Sequence, residues 1–279
     1  MKRRELWKMP TTIAAFCLAF ALVLTGCDNP AGGGGGGGNH NLGAPPAYRP
    51  GVDGPAVIGA NLAFTGSVYQ WNSNDGTLYP FAGNLQNISA GFWEDGRIWI
   101  PVGGSGVVTN GQLNFNIGTP TATVSIGDFF DLLGFEFIWN NFTISNPNAQ
   151  IAVIEELRTQ ADQQLLKGRF VTTATTNVHE WAIFVYAASN VTISGTGRNF
   201  LEPDGLRIIT NTFTLNLQAG WNAFRLVGEE DFVNNVIRSS IVAGTHADAV
   251  WMTPSSQWTF SEATEGLQRS GRSGLRAWR

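Results

Sequence analysis

Cysteine is almost absent from this chain. Its 279 residues include two, Cys17 and Cys27, and both lie before residue 28. Everything beyond them therefore has no disulfide, no thiolate metal site and no cysteine nucleophile. Charge is sparse too. Asp, Glu, Lys and Arg make up 14% of the chain, against about 25% in an average globular protein. Lys167 is the one lysine after Lys8. A lysine-poor chain with a net charge of −4 carries no electrostatic footprint for nucleic acid. The three histidines, His40, His179 and His246, are scattered. There is no Gly-x-Ser-x-Gly elbow; Gly104-Ser105-Gly106 reads as a turn. No phosphate loop, dinucleotide fingerprint or His-Glu-x-x-His is present.

Long apolar runs are missing as well. The longest, Ile13 to Leu24, falls short of the roughly 20 residues a membrane span needs. It follows a basic start (Lys2, Arg3, Arg4, Lys8) and ends in Leu24-Thr25-Gly26-Cys27. Charged n-region, short apolar h-region and small residues at the cut point make up a secretory signal. The thiol at that point makes it a lipoprotein signal. Residues 1–26 are expected to be removed and Cys27 to carry the lipid, palmitate among its acyl chains. Several chains anchor stably where one does not. Arg3-Arg4 also fits a twin-arginine signal, but an ordinary n-region is favoured, because nothing downstream suggests a cofactor loaded before export. The expected location is the cell membrane or outer membrane, facing the periplasm or the exterior.

Residues 27–50 read as anchor and linker. Gly32 to Gly38 is unbroken glycine, followed by Pro45-Pro46. Such a composition cannot bury a core, and about 22 residues of it span roughly 25 Å. Without residues 1–26 the counts fall to 13 Lys and Arg against 20 Asp and Glu, a net charge near −7. The last residues, 263–279, hold Arg269, Arg272, Arg276 and Arg279 among Ser and Gly and read as a disordered basic tail.

What remains is rich in Thr, Asn, Gly, Val, Ile, Phe and Trp, a strand-and-turn composition. The expected fold is all-β, as one or two sandwich-like units. A division is placed between 51–125 and 126–262, with one continuous sandwich as the alternative. The clearest strands flank Asn110-Gly111, a two-residue type I′ turn. After it Leu113, Phe115 and Ile117 share one face, and Gln112, Asn114 and Asn116 the other. Thr212 to Leu217 alternates likewise, and Ala219-Gly220 turns it into Trp221 to Val227. Glu180 to Ala187 reads as a strand buried on both faces, paired with Val191 to Ser194 through Ser189-Asn190. Asn234-Asn235 marks another tight turn. Ile151 to Lys167 is read as a strand running into an irregular turn near Ala161, although its apolar spacing also fits a helix. Asp128 to Leu133 is read as a short helical turn.

Three stretches, Val107 to Phe115 with Gly118-Thr119-Pro120, Val191 to Gly197, and Leu215 to Asn222, together with the glycine tract and Cys27, resemble a group of spirochaetal (Treponema-like) envelope lipoproteins. The resemblance implies a β-rich envelope body with no assigned activity and no catalytic residues to carry over. It implies that Leu217-Gln218-Ala219-Gly220-Trp221-Asn222 is a structural corner. Gln218-Ala219 departs from the pattern, where a lysine is common.

Few residues carry chemistry. Glu94-Asp95, Glu155-Glu156 and Glu229-Glu230-Asp231 contain the carboxylates that a glycosidase would need, yet neighbours on a strand point to opposite faces, so each run offers one acid to a site. Asn72 to Gly76 resembles half a calcium loop without its closing Glu. Trp71 and Trp93 sit beside turn residues and are the candidates for an exposed ligand-stacking face. Trp181 and Trp221 are expected in the core. The expectation is a non-enzymatic, lipid-anchored binding or surface protein with no cofactor and no metal. Its partners would be the membrane and a glycan or protein ligand, with no nucleic acid. A carbohydrate-binding module is the alternative, and a hydrolase with an unrecognised site stands behind both.

Overall fold

The structure, a computed structural model, describes residues 56–71, 77–94, 98–127, 139–197, 199–201 and 207–254. The expected signal, linker, basic tail, half calcium loop and helical turn at 128–133 lie outside these residues. The described residues form nineteen strands: β1 (Val57–Gly59), β2 (Leu62–Trp71), β3 (Leu78–Pro80), β4 (Leu85–Glu94), β5 (Ile98–Thr109), β6 (Gln112–Ile117), β7 (Val124–Ser125), β8 (Trp139–Ile144), β9 (Gln150–Ile154), β10 (Glu156–Arg158), β11 (Gln164–Thr172), β12 (Thr176–Ala187), β13 (Val191–Gly197), β14 (Asn199–Leu201), β15 (Arg207–Thr210), β16 (Phe213–Leu217), β17 (Gly220–Asp231), β18 (Val236–Ala243) and β19 (Val250–Pro254). The fold is all-β.

Seven strands close a barrel-like ring in the order β10-β4-β5-β6-β2-β19-β11, with β11 pairing back onto β10. Closure removes the unpaired edges that would otherwise invite association. A small ring needs sharp bends. The β4–β5 ladder slips register three times between Leu85 and Gly91, and Asn87, Gly103 and Gly104 take positive φ there. Bulges of this kind bend and twist a strand.

At β11 the sheet leaves the ring and continues through β12, β17, β18, β15 and β14. Glu155 marks the fork. Before it β9 pairs with β12, and after it β10 pairs with β4 and β11. A separate three-stranded sheet, β16-β13-β8, adds Val191, Ile193, Phe213, Leu215 and Leu217 to the same hydrophobic cluster. Phe64 lies within that cluster, with ring centroids 5.6 Å from Phe115, 4.6 Å from Phe184 and 4.8 Å from Trp251.

The hairpin at Asn110-Gly111 forms as its sequence dictates, with φ of 49° and 74°. Leu113, Phe115 and Ile117 are buried, and Gln112, Asn114 and Asn116 are exposed. A Cβ on Gly111 would lie 1.9 Å from the Phe81 carbonyl oxygen. Gly111→Ala therefore meets backbone as well as an unfavourable φ. It is expected to lower stability by more than about 1 kcal/mol in urea unfolding, whereas Asn110→Gly is expected to be nearly neutral.

Two expectations need correction. Val191 to Ser194 does not pair with the strand before it, because both edges of β12 are taken, by β17 on one side and by β9 and β11 on the other. β13 pairs with β16 and β8 instead. The Ala219-Gly220 turn leads from β16 of the small sheet into β17 of the main one. The placed division at 125/126 is crossed by the main sheet, which pairs β4 with β10 and β2 with β19. The 150–167 segment resolves as strands β9 and β10, a turn and the start of β11.

Candidate functional site

Strands β11, β12, β17 and β18 lie side by side, and period-two alternation sorts their side chains onto two faces. The inner face is continuous with Trp251, which stands opposite Lys167. Arg169 faces Glu180, Glu180 faces Val227, Arg225 faces Val242, and Glu229 faces Arg238. A seam of charge thus crosses four strands inside the fold.

The seam has two parts. In one, Glu180 serves two arginines: Oε1 accepts from Arg169 Nη1 at 2.8 Å, and Oε2 lies 3.1 Å from Arg225 Nε. Arg225 is 2% exposed. The Lys167 ammonium lies 5.7 Å from the centre of the Trp251 ring, a cation–π contact, and burial lowers its pKa. In the other part, Arg238 reaches Glu229 at 2.6 Å and Asp231 at 3.5 Å. Burial raises the Asp231 carboxyl, but hydrogen bonds from Asn234 and the charge and hydrogen bond of Arg238 leave it below its usual range.

The outer face of the same strands is different. Asn177 stands opposite Glu230, and His179 lies two residues along β12 on that face. Glu230 is 6% exposed. Burial pushes its carboxyl up to about 7, against a hydrogen bond with Asn177 that lowers it. Burial pushes His179 down to about 4. Beside them Trp71 stacks on Phe170 at 4.9 Å, and the edges of Trp181 and His179 meet Phe170 at 5.0 and 5.2 Å. Near neutral pH this face is aromatic and largely uncharged.

Trp71 thus differs from its expected place. It is buried with Leu166, Trp181 and Met252 in a second small core. Its apolar ring closes the outer face of β11 and β12, so it offers no exposed stacking platform. Trp93 pairs through its backbone with Trp99, and its side chain lies outside the described residues, as do Cys27 and His40. Trp181 and Trp221 are core residues, as expected. His246 is buried, and its Nδ1 accepts from the Asp248 backbone. In the third acidic run Glu230 faces outward and Glu229 and Asp231 both face inward onto Arg238, so the run brings two carboxylates to one face and not the single acid expected, because residues 229 and 231 are two apart on one strand. Glu156 pairs with Arg158. Among the described residues no group of three or more His, Asp or Glu is placed to hold a metal. No helix there is long and apolar enough to cross a membrane.

The inner seam escaped sequence reading because its charges lie on four strands spread from residue 164 to residue 243 and are brought side by side only by strand pairing. The available signal was parity. Lys167 and Arg169, two apart, must share a face of their strand. Comparison with protein families, curated proteins and solved structures finds no match for this chain.

Proposed function

We propose that the chain is a lipid-anchored cell-envelope protein whose β body is displayed on a flexible tether and serves binding. The observation that carries this reading is Leu24-Thr25-Gly26-Cys27 at the end of a basic and then apolar leader, followed by a glycine tract and an all-β body without cysteine. A body with no disulfide depends on burial alone. Phe64, Phe115 and Trp221, each 3% exposed or less, supply the kind of large apolar burial this requires. The resemblance to spirochaetal envelope lipoproteins points the same way and brings no enzymatic activity with it. The proposed setting is the cell membrane or outer membrane, with the body facing the periplasm or the exterior.

Metabolic labelling with tritiated palmitate tests the anchor. The expected result is label on the chain and recovery of the body in the membrane fraction. In Cys27→Ser both disappear and the uncleaved precursor accumulates. Label that persists on Cys27→Ser, or an unlabelled chain in the soluble fraction, overturns the reading.

A further inference from the structure

We propose that Phe232 and Val233, at the tip of the β17–β18 hairpin, insert into the interfacial layer of the bilayer that holds the lipid anchor. The inference rests on the anchoring reading above, and its test is separate from that of the anchor.

The tip departs from ordinary turn chemistry. Residues 232–235 join β17 to β18, and such connections favour polar residues and glycine. Here Phe232 is 51% exposed and Val233 is 71% exposed. Exposed apolar side chains scattered singly are ordinary. Among the described residues these two alone are large, apolar, exposed and adjacent in sequence. The loop beneath them is built from polar contacts. Asp231 accepts from the Asn234 backbone at 3.1 Å and from its side-chain amide at 2.8 Å. The Phe232 amide donates to the Thr175 carbonyl at 3.0 Å. These bonds hold the turn while the two apolar side chains stand in water. Leu201, also exposed, lies at the same end of the sheet. It pairs with Arg207, Arg207 with Val236 and Val236 with Asp231, three strand spacings or about 14 Å.

Tether length argues for the bilayer as the occupant. The Ala223 amide donates to the Ala56 carbonyl, so the chain from Cys27 joins the body near the start of β17. Phe232 lies nine residues further along, about 30 Å at ~3.4 Å per residue. A glycine-rich sequence as long as residues 28–55 has a root-mean-square span of roughly 26–32 Å. The effective concentration of a tethered surface is highest when tether span and distance match. A tip too small to bind a membrane alone thus works beside an anchor, and orients a body that the acyl chains already hold. Charge decides the kind of surface. In 198–207 and 229–238, Arg198, Arg207 and Arg238 stand against Glu202, Asp204, Glu229, Glu230 and Asp231. Cations are not in excess, so anionic head groups gain nothing there and the contact is apolar.

The test uses the lipidated full-length chain in phosphatidylcholine vesicles. On the proposed reading Cys17 leaves with the leader and Cys27 carries lipid, so Val233→Cys introduces one reactive thiol for an environment-sensitive dye. Asn114→Cys, exposed on β6, is the control. The dye at 233 is expected to shift to the blue and to be quenched by nitroxide-bearing lipids at least about threefold more than at 114, as an apolar group seated in the interface requires. Adding Phe232→Ser to Val233→Cys is expected to reverse most of both effects. Phe232→Cys repeats the measurement should Val233→Cys fail to fold. Quenching at 233 no greater than at 114 overturns the proposal. So does a shift that appears without lipid and grows with protein concentration, which reports a second copy, or one confined to anionic vesicles, which reports charge. Palmitate labelling decides the anchor independently. A labelled, membrane-bound chain whose position 233 stays in water loses the tip and keeps the anchor; a chain without palmitate loses both.

Discussion

In Glu230→Gln the stability of the protein is expected to depend on pH in a way the parent chain conceals. Glu230 has a pKa of about 7 when folded and 4.5 as its ordinary value. Folding therefore takes up a proton between these limits, and the contribution of Glu230 falls as pH rises from 4.5 to 7. His179 runs the other way, at about 4 when folded against 6.5. Its neutral buried form favours folding above pH 6.5, and that contribution is lost as pH falls toward 4. Each shift corresponds to about 3 kcal/mol at most, from ~1.4 kcal/mol per pKa unit. Between pH 4.5 and 6.5 the two slopes oppose each other and nearly cancel. Glu230→Gln keeps an amide opposite Asn177 and removes one slope. It is expected to match the parent near pH 4.5 and to exceed it by up to about 3 kcal/mol at pH 8. His179→Phe keeps a ring against Phe170 and unmasks the opposite profile, losing stability as pH rises from 4.5 to 7. Urea unfolding at half-unit intervals of pH measures both, and the difference from the parent removes groups common to all three proteins, Asp231 among them. Profiles for Glu230→Gln that parallel the parent would show that the carboxyl titrates as an exposed one.

Such a cancellation could not be read from the sequence. His179 and Glu230 are 51 positions apart and meet only because β12 and β17 pair over twelve residues. What the sequence did disclose was local. Asn-Gly between alternating strands specifies its own turn and the inward faces of Leu113, Phe115 and Ile117. The corner at Leu217 to Asn222 is another case. There the buried Asn222 side chain donates to the carbonyls of Gln218 and Gly220 at 2.8 and 2.9 Å and accepts from the Gln218 amide at 2.9 Å. Trp221 donates to the Gly118 carbonyl at 2.8 Å and ties the corner to the ring. Non-local closure was hidden. Nothing near Val250 to Pro254 announces a parallel partner at Val68 to Trp71, and that pairing helps bring Trp71 against Phe170 on the next strand but one. Turn residues beside Trp71 suggested exposure, but burial is decided by which strands meet, and those contacts span most of the chain.

Replacing Glu180 is expected to be the most damaging change to the inner seam. Its carboxylate pairs with Arg225, which is almost fully buried, and with Arg169. Glu180→Gln keeps size and hydrogen-bonding capacity but removes the charge that Arg169 and Arg225 share. Breaking a buried pair from one side costs about 3–5 kcal/mol, because the remaining charge stays out of water uncompensated. Removing both sides is different. Glu180→Leu with Arg225→Met exchanges the buried pair for apolar packing, an exchange that is often neutral or stabilising by about 1–4 kcal/mol, and leaves only the part-exposed Arg169 without its carboxylate, so most of the loss is expected to be recovered. Urea unfolding of Glu180→Leu, Arg225→Met and the double variant gives the coupling directly. A large loss in Glu180→Gln and Glu180→Leu that the double variant recovers identifies charge imbalance as the cause; equal losses in Glu180→Leu, Arg225→Met and the double variant would instead indicate a packing defect.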